Sequence, residues 1–157
     1  MMVESQTGHA NVKIEPPVLL LMHVIAVILL RWLVPLPFVL PKLLEWLGYV
    51  LILLGIGLGA GAVSRFRRAH TTTKPHESAS TIVTTGPYRF TRNPIYLGLV
   101  CMLIGFSFAF RTYWGLILSP LFIALMNTLV IQHEEAYLEK KFGEMYTSYK
   151  SRVRRWL

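Results

Sequence analysis

The fold is decided by residues 92–135, RNPIYLGLVCMLIGFSFAFRTYWGLILSPLFIALMNTLVIQHEE. Two apolar runs, 95–110 and 113–131, are separated only by Arg111 and Thr112. The second approaches the roughly 20 residues a helix needs to cross a bilayer, and the first is slightly short of it. Runs joined by so short a connection predict a tight helical hairpin. Its two open ends then return to one surface. Arg92, Asn93 and Pro94 stand at one of those ends, and Glu134 and Glu135 at the other. The hairpin therefore predicts that a guanidinium and two carboxylates come together where the apolar runs stop.

Working outward, runs 17–34 and 43–63 have the same character. The 157-residue chain has a mean hydropathy of +0.48 and is 54% hydrophobic, too apolar for an ordinary soluble domain. A soluble bundle would show a polar face along each run, and these have almost none. The expectation is an all-α integral membrane protein with four transmembrane helices and a C-terminal amphipathic helix. Residues 1–16 read as a polar, loosely ordered segment, and 17–157 as a single membrane domain. The first run carries His23 and Arg31, the latter near enough to its end to snorkel. It reads as a retained helix, because Glu4 and Glu15 precede it and no small-residue cleavage site follows. Pro35, Pro37 and Pro41 then end it.

Charge sets the topology. Arg65, Arg67, Arg68, Lys74, Arg89 and Arg92 lie on the connection 64–93, and Lys140, Lys141, Lys150, Arg152, Arg154 and Arg155 follow the fourth run. Lys13 precedes the first, and only Arg31, Lys42 and Arg111 fall on the opposite side. The positive-inside rule puts both termini and the connection in the cytoplasm, in the plasma (inner) membrane if the chain is prokaryotic. Trp32, Trp46, Tyr113, Trp114 and Trp156 sit near run ends, as an aromatic belt does. The net charge of +8 flanks membrane spans and follows no nucleic-acid-binding pattern, so the expected partner is the lipid bilayer.

Several groups bear on chemistry. Helix two carries Gly55/Gly59 and Gly57/Gly61, two i, i+4 pairs on neighbouring faces. These suit either close helix packing or a flat ligand laid against glycine. Asn93 and Pro94 are a favoured N-cap and first helical residue for the third helix. Pro120 should kink the fourth helix, and Gly143 should break or bend the C-terminal one. The chain has no Asp, and none of its eight Glu lies in the interior of a run, which argues against a proton-coupled transporter. Glu134 and Glu135 read either as a solvated helix start or as an ion-paired cluster with Arg89 and Arg92. Such a cluster suits a zwitterion. His133 beside the Glu pair matches no zinc-binding spacing, and no metal site is expected. The single Cys101 lies inside the third run and reads as a packing residue.

Gly86 and Tyr88, Arg92-Asn93-Pro94-x-Tyr96, the Glu134/Glu135 pair, and Phe142-Gly143-x-x-Tyr146-x-x-Tyr149 followed by Val153 resemble the isoprenylcysteine carboxyl methyltransferase family. The related phospholipid N-methyltransferases share parts of this signature. A weaker similarity extends back through helix two and Thr71-Thr72-x-x-Pro75. The resemblance implies methyl transfer from S-adenosyl-L-methionine to a lipophilic or small-molecule acceptor: a carboxylate, an amine or a thiol. It implies cofactor binding by Arg92, Asn93, Pro94, Tyr96, Glu134 and Glu135, with Tyr146 and Tyr149 closing the pocket and Gly57, Gly59 and Gly61 as a looser glycine motif. Arg92 and Glu135 are the implied catalytic pair, Arg92 binding either cofactor or acceptor. Family members commonly carry His where this chain has Asn93, so the site is expected to align reactants, not to shuttle protons there. The rival readings are an NADPH-dependent membrane reductase of the sterol-reductase type and a non-enzymatic four-helix transporter or lipid-binding protein. The sequence leaves the oligomeric state open.

Overall fold

A computed structural model describes residues 10, 12–37, 39–72 and 77–157. Helices α1 (Pro16–Leu33), α2 (Leu43–Arg68), α3 (Pro94–Ala109) and α4 (Trp114–Met126) run alternately between two ends of the molecule. A π turn, Asn127–Ile131, carries α4 without a break into α5 (Gln132–Phe142), and α6 (Glu144–Arg152) follows. Pro120 lies inside α4 without ending it. Pro16–Leu33, Leu43–Arg68 and Trp114–Phe142 are long and apolar enough to cross a membrane, whereas Pro94–Ala109, at 16 residues, is shorter.

The burial pattern follows from this. Leu19 and Val27 of α1, Leu103 of α3, and Phe122, Met126, Val130 and Ile131 of the long helix form the core. Leu21, Trp32, Leu43, Trp46 and Leu53 stand fully outward. A rim of large apolar side chains this extensive is a liability in water and suits lipid. His23 is buried within the bundle, its ring against Phe122 edge to face at 5.0 Å.

α2 and α3 approach most closely through Gly48 and Gly55 on one and Gly98 and Gly105 on the other. A Cβ on Gly55 would lie 2.5 Å from the carbonyl oxygen of Gly98, so the backbones themselves touch. The closest contacts therefore have seven-residue spacing; Gly59 N also lies 3.5 Å from a Cβ built on Gly98, so the Gly55/Gly59 face packs on α3 and the Gly57/Gly61 face does not. A Cβ on Gly57, Gly59 or Gly61 would itself meet open space.

At the end away from the cavity described below, side chains close the helix termini. Arg31 donates to the Phe110 carbonyl, Arg111 Nε to Leu40 O at 3.0 Å, and Trp114 Nε1 to Val34 O at 3.0 Å. Cations on terminal carbonyls satisfy acceptors that have no helical donor.

The opposite end gathers everything else, and three expectations change there. Ala10 and Val12 are buried, and Lys13 N–H donates to Leu129 O at 3.3 Å. This part of the N-terminal segment is packed, not loose; residues 1–9 and 11 lie outside the described set. The C-terminal segment is not one helix on the bilayer surface. Gly143, with φ +52°, divides it, and Tyr146 and Tyr149 of α6 turn inward at 3% and 5% exposure. Trp156 leaves the expected aromatic belt and donates its indole N–H to Asn127 Oδ1 at 3.2 Å.

Candidate functional site

The site is built on two short segments that the hairpin brings together. Gly86, with φ +65°, opens the 3-10 turn Gly86–Arg89. That conformation suits glycine, and a Cβ there would meet the Arg65 side chain at 2.7 Å. The turn drives Tyr88 inward against Phe66, with ring centroids 5.4 Å apart, and leaves Arg89 exposed. Arg89 therefore takes no place in the cluster expected of it.

The next residues run extended alongside the C-terminal tail. Thr91 and Arg154 form a parallel bridge, and Arg92 N–H donates to Arg154 O at 2.9 Å. Asn93 occupies the N-cap position of α3, with Pro94 after it, but its side chain does not cap the helix. The amide Nδ2 instead donates to Arg155 O at 2.9 Å, beside Thr91 Oγ1 at 3.0 Å from the same carbonyl. The tail competes for the amide and wins.

The carboxylates come from α5, past the apolar run that ends at Ile131. The π turn is what aims them: Gln132 N–H reaches back five residues to Asn127 O. One extra residue rotates everything downstream by about 100° around the axis. Glu135 is buried at 6% exposure and is held on three sides by cations. Arg155 forks it, Nε to Oε1 at 3.1 Å and Nη2 to Oε2 at 2.7 Å. Arg92 Nη1 lies 3.3 Å from Oε1, and Lys150 Nζ lies 3.9 Å from Oε2. The Glu135 fork in turn raises the Arg155 pKa.

Glu134 differs sharply from its neighbour. It is part-exposed by surface yet has protein on nearly every side, and Tyr96 Oη donates to Oε1 at 2.6 Å. Burial lifts its carboxyl from 4.5 to about 7; the Tyr96 hydrogen bond opposes this and the Glu135 charge adds to it. Adjacent carboxyls are thus separated in role: one paired, one poised near neutrality.

Arg92, Asn93, Tyr96, Glu134, Glu135, Tyr146 and Tyr149 all line one cavity of about 120 Å³. That is room for several waters. Ile82, Val83, Phe66, Tyr88 and Ile95 form an apolar wall on its other side. Arg92 Nε and Nη1 are buried without a hydrogen-bond acceptor. Tyr149 Oη donates to Tyr88 O at 2.8 Å, and burial pushes the Tyr149 phenol up to about 12 and those of Tyr88 and Tyr146 up as well, so all three stay neutral. The connection is clipped to α5 by Tyr137, whose hydroxyl accepts from Ala79 N–H at 3.1 Å. Lys74, Pro75 and His76 of that connection lie outside the described residues.

Pro94 is buried at the start of α3 and does not line the cavity. Gly57 and Gly61 lie elsewhere, in an open apolar groove on the outer face of α2 with Pro87, and Gly59 lies in neither place. Sequence reasoning missed Tyr88 and Tyr137 as cavity walls, and Arg155 as a partner of Glu135. Tyr88 had a signal, in the Gly86-Pro87-Tyr88 turn; Arg155 looked like one more basic residue of a lipid-facing tail.

Comparison with known proteins bears on this arrangement. The phospholipid methyltransferase family model matches residues 43–145. A stretch of 63 residues, 40% of this chain, is 38% identical to the full length of an uncharacterized protein of Haemophilus influenzae. No solved structure matches at a significant level. With its apolar helices and a match over more than half its length, the chain belongs to the phospholipid methyltransferase family, a family of membrane methyltransferases that includes the isoprenylcysteine carboxyl methyltransferase-like group.

Proposed function

We propose that this protein is an S-adenosyl-L-methionine-dependent methyltransferase whose cofactor binds in the Arg92–Glu134 cavity at the cytoplasmic surface. The observation that carries this reading is that Arg92 Nε and Nη1 are buried and make no hydrogen bond, Nη1 facing Glu135 only as an ion pair at 3.3 Å, in the same cavity as the Glu134 carboxyl. A buried guanidinium with unused donors is costly unless an anion completes it. An amino-acid group carries both complements at short separation: a carboxylate for Arg92 and an ammonium for Glu134. The aromatic faces of Tyr88, Tyr146 and Tyr149 suit a cation or a flat base. The residues present fit the cofactor.

When bound, that cofactor supplies a methyl group already activated on a sulfonium. This chain's residues then have to bind, align and keep water out. Glu135, with both oxygens forked by Arg155, holds position. Glu134, with a carboxyl near neutrality, suits an acceptor that must lose a proton before attack. Asn93, committed to the tail, takes no part in proton transfer. The acceptor is a lipophilic or small carboxylate, amine or thiol reaching the apolar wall of the cavity from the bilayer. All four of α1–α4 span the membrane, α3 included, with both termini cytoplasmic. The gathering of the N-terminal segment, the connection and the C-terminal tail at one end supports that topology.

Calorimetry on the detergent-purified protein tests the reading. S-adenosyl-L-methionine and its demethylated product should both bind, and NADPH should not displace them. Arg92→Ala should weaken binding by roughly tenfold or more, the cost of one charged hydrogen bond. A folded protein that binds neither sulfur compound would overturn the assignment.

A further inference from the structure

The last residues of the chain lie beyond the segment that the family match covers, yet they are bonded into the cavity wall. Backbone and indole groups fix the tail without help from the Arg155 side chain. Arg154 O accepts from Arg92 N–H at 2.9 Å, and Arg155 O accepts from Thr91 Oγ1 at 3.0 Å and Asn93 Nδ2 at 2.9 Å. Trp156 Nε1 reaches Asn127 Oδ1 at 3.2 Å. The Arg155 guanidinium, one-third exposed, is then held where it forks both oxygens of Glu135.

The fork matters for Arg92. Arg92 Nη1 lies 3.3 Å from Glu135 Oε1 but makes no hydrogen bond to it, and its Nε is likewise unused. The fork fixes the plane of the Glu135 carboxylate, and in that orientation Arg92 Nη1 stands beside Oε1 as an ion pair without hydrogen-bond geometry. We propose that Arg155 is a positioning residue of the cofactor site, holding Glu135 in an orientation that leaves the Arg92 donors for the anionic group of the ligand. The proposal rests on the reading of this cavity as the cofactor site. Without the Arg155 guanidinium, Glu135 turns to the nearest buried cation, Arg92, and quenches it.

Calorimetric titration of S-adenosyl-L-methionine into the full-length protein distinguishes the outcomes. Arg155→Ala should bind roughly tenfold or more weakly while keeping its melting temperature, because the tail is anchored by its backbone and by Trp156. Adding Glu135→Gln to Arg155→Ala removes the competing carboxylate and should restore much of the lost affinity. A merely structural role for Arg155 predicts no such restoration. Arg152→Ala, at an exposed cation whose Nε donates to Ser148 O within its own helix, should bind as the unmodified protein does. Unchanged binding in Arg155→Ala, or no recovery in the double variant, overturns the proposal. If Arg155→Ala does not fold, Arg155→Lys decides: intermediate affinity supports it, since the charge remains and the fork is lost, and full affinity overturns it. If the unmodified protein binds no cofactor, the methyltransferase reading falls first and this assignment falls with it.

Discussion

At the scale of single residues, adjacent glutamates on one helix live in different electrostatic worlds. Glu135 is surrounded by Arg92, Arg155 and Lys150, whereas Glu134 has a phenol for its partner and is enclosed by protein. The consequence is measurable as a pH dependence. The Glu134 carboxyl is raised to about 7 by burial, above its ordinary 4.5, so the folded protein keeps a proton that the unfolded chain releases. The stability this contributes is complete below pH 4.5 and is lost as pH rises through 7. Glu134→Gln keeps an oxygen for the Tyr96 hydroxyl and removes the ionisation. Melting curves between pH 5 and 8 should therefore fall less steeply for this variant than for the unmodified protein; parallel curves would show that Glu134 does not titrate there. The sequence made the glutamate pair conspicuous but gave no means of telling its members apart. Which one meets Arg155 depends on a helix rotation that residue order alone does not reveal.

At the scale of elements, helix contacts are decided by where backbone meets backbone. Five glycines on α2 look interchangeable in the sequence, yet a Cβ would run into α3 at Gly48 and Gly55 and would meet open space at Gly57, Gly59 and Gly61. Gly55→Ala should cost about 1–3 kcal/mol, because the new methyl meets the Gly98 carbonyl oxygen at 2.5 Å, a backbone atom that cannot step aside as the neighbouring Met102 side chain can. Gly57→Ala, facing open space, should lose nothing and gain up to about 1 kcal/mol from helix propensity. Thermal melting in one detergent checks both, and equal losses would contradict the packing. The two long apolar runs, the proline-rich break after α1 and the Gly143 break were all legible in residue type. The π turn was not. Asn127, Thr128, Leu129, Val130 and Ile131 suit an α-helix as well, and the wider turn exists in a segment that the core and the Trp156 anchor both hold.

At the scale of the whole molecule, polar work is confined to one end of a bundle whose outside is apolar. The proposed topology gives that end to the cytoplasm. In a Cys101→Ser background, Ser151→Cys and Lys42→Cys place exposed thiols at opposite ends. A membrane-impermeant maleimide applied to intact cells should label Lys42→Cys and spare Ser151→Cys until the membrane is opened. The reverse pattern would invert the assignment. The sequence by itself determined the apolar helices, the hairpin and the meeting of Arg92 with the glutamates, because run length, turn length and charge placement are local properties of the chain. Only the tertiary structure decided that Asn93 bonds the tail instead of its own helix, that Gly57, Gly59 and Gly61 lie outside the cavity, and that Arg155 rather than Arg89 completes the cluster. Those outcomes depend on competition between partners about 20 to 60 positions apart along the chain, and on the rotation of each helix about its axis.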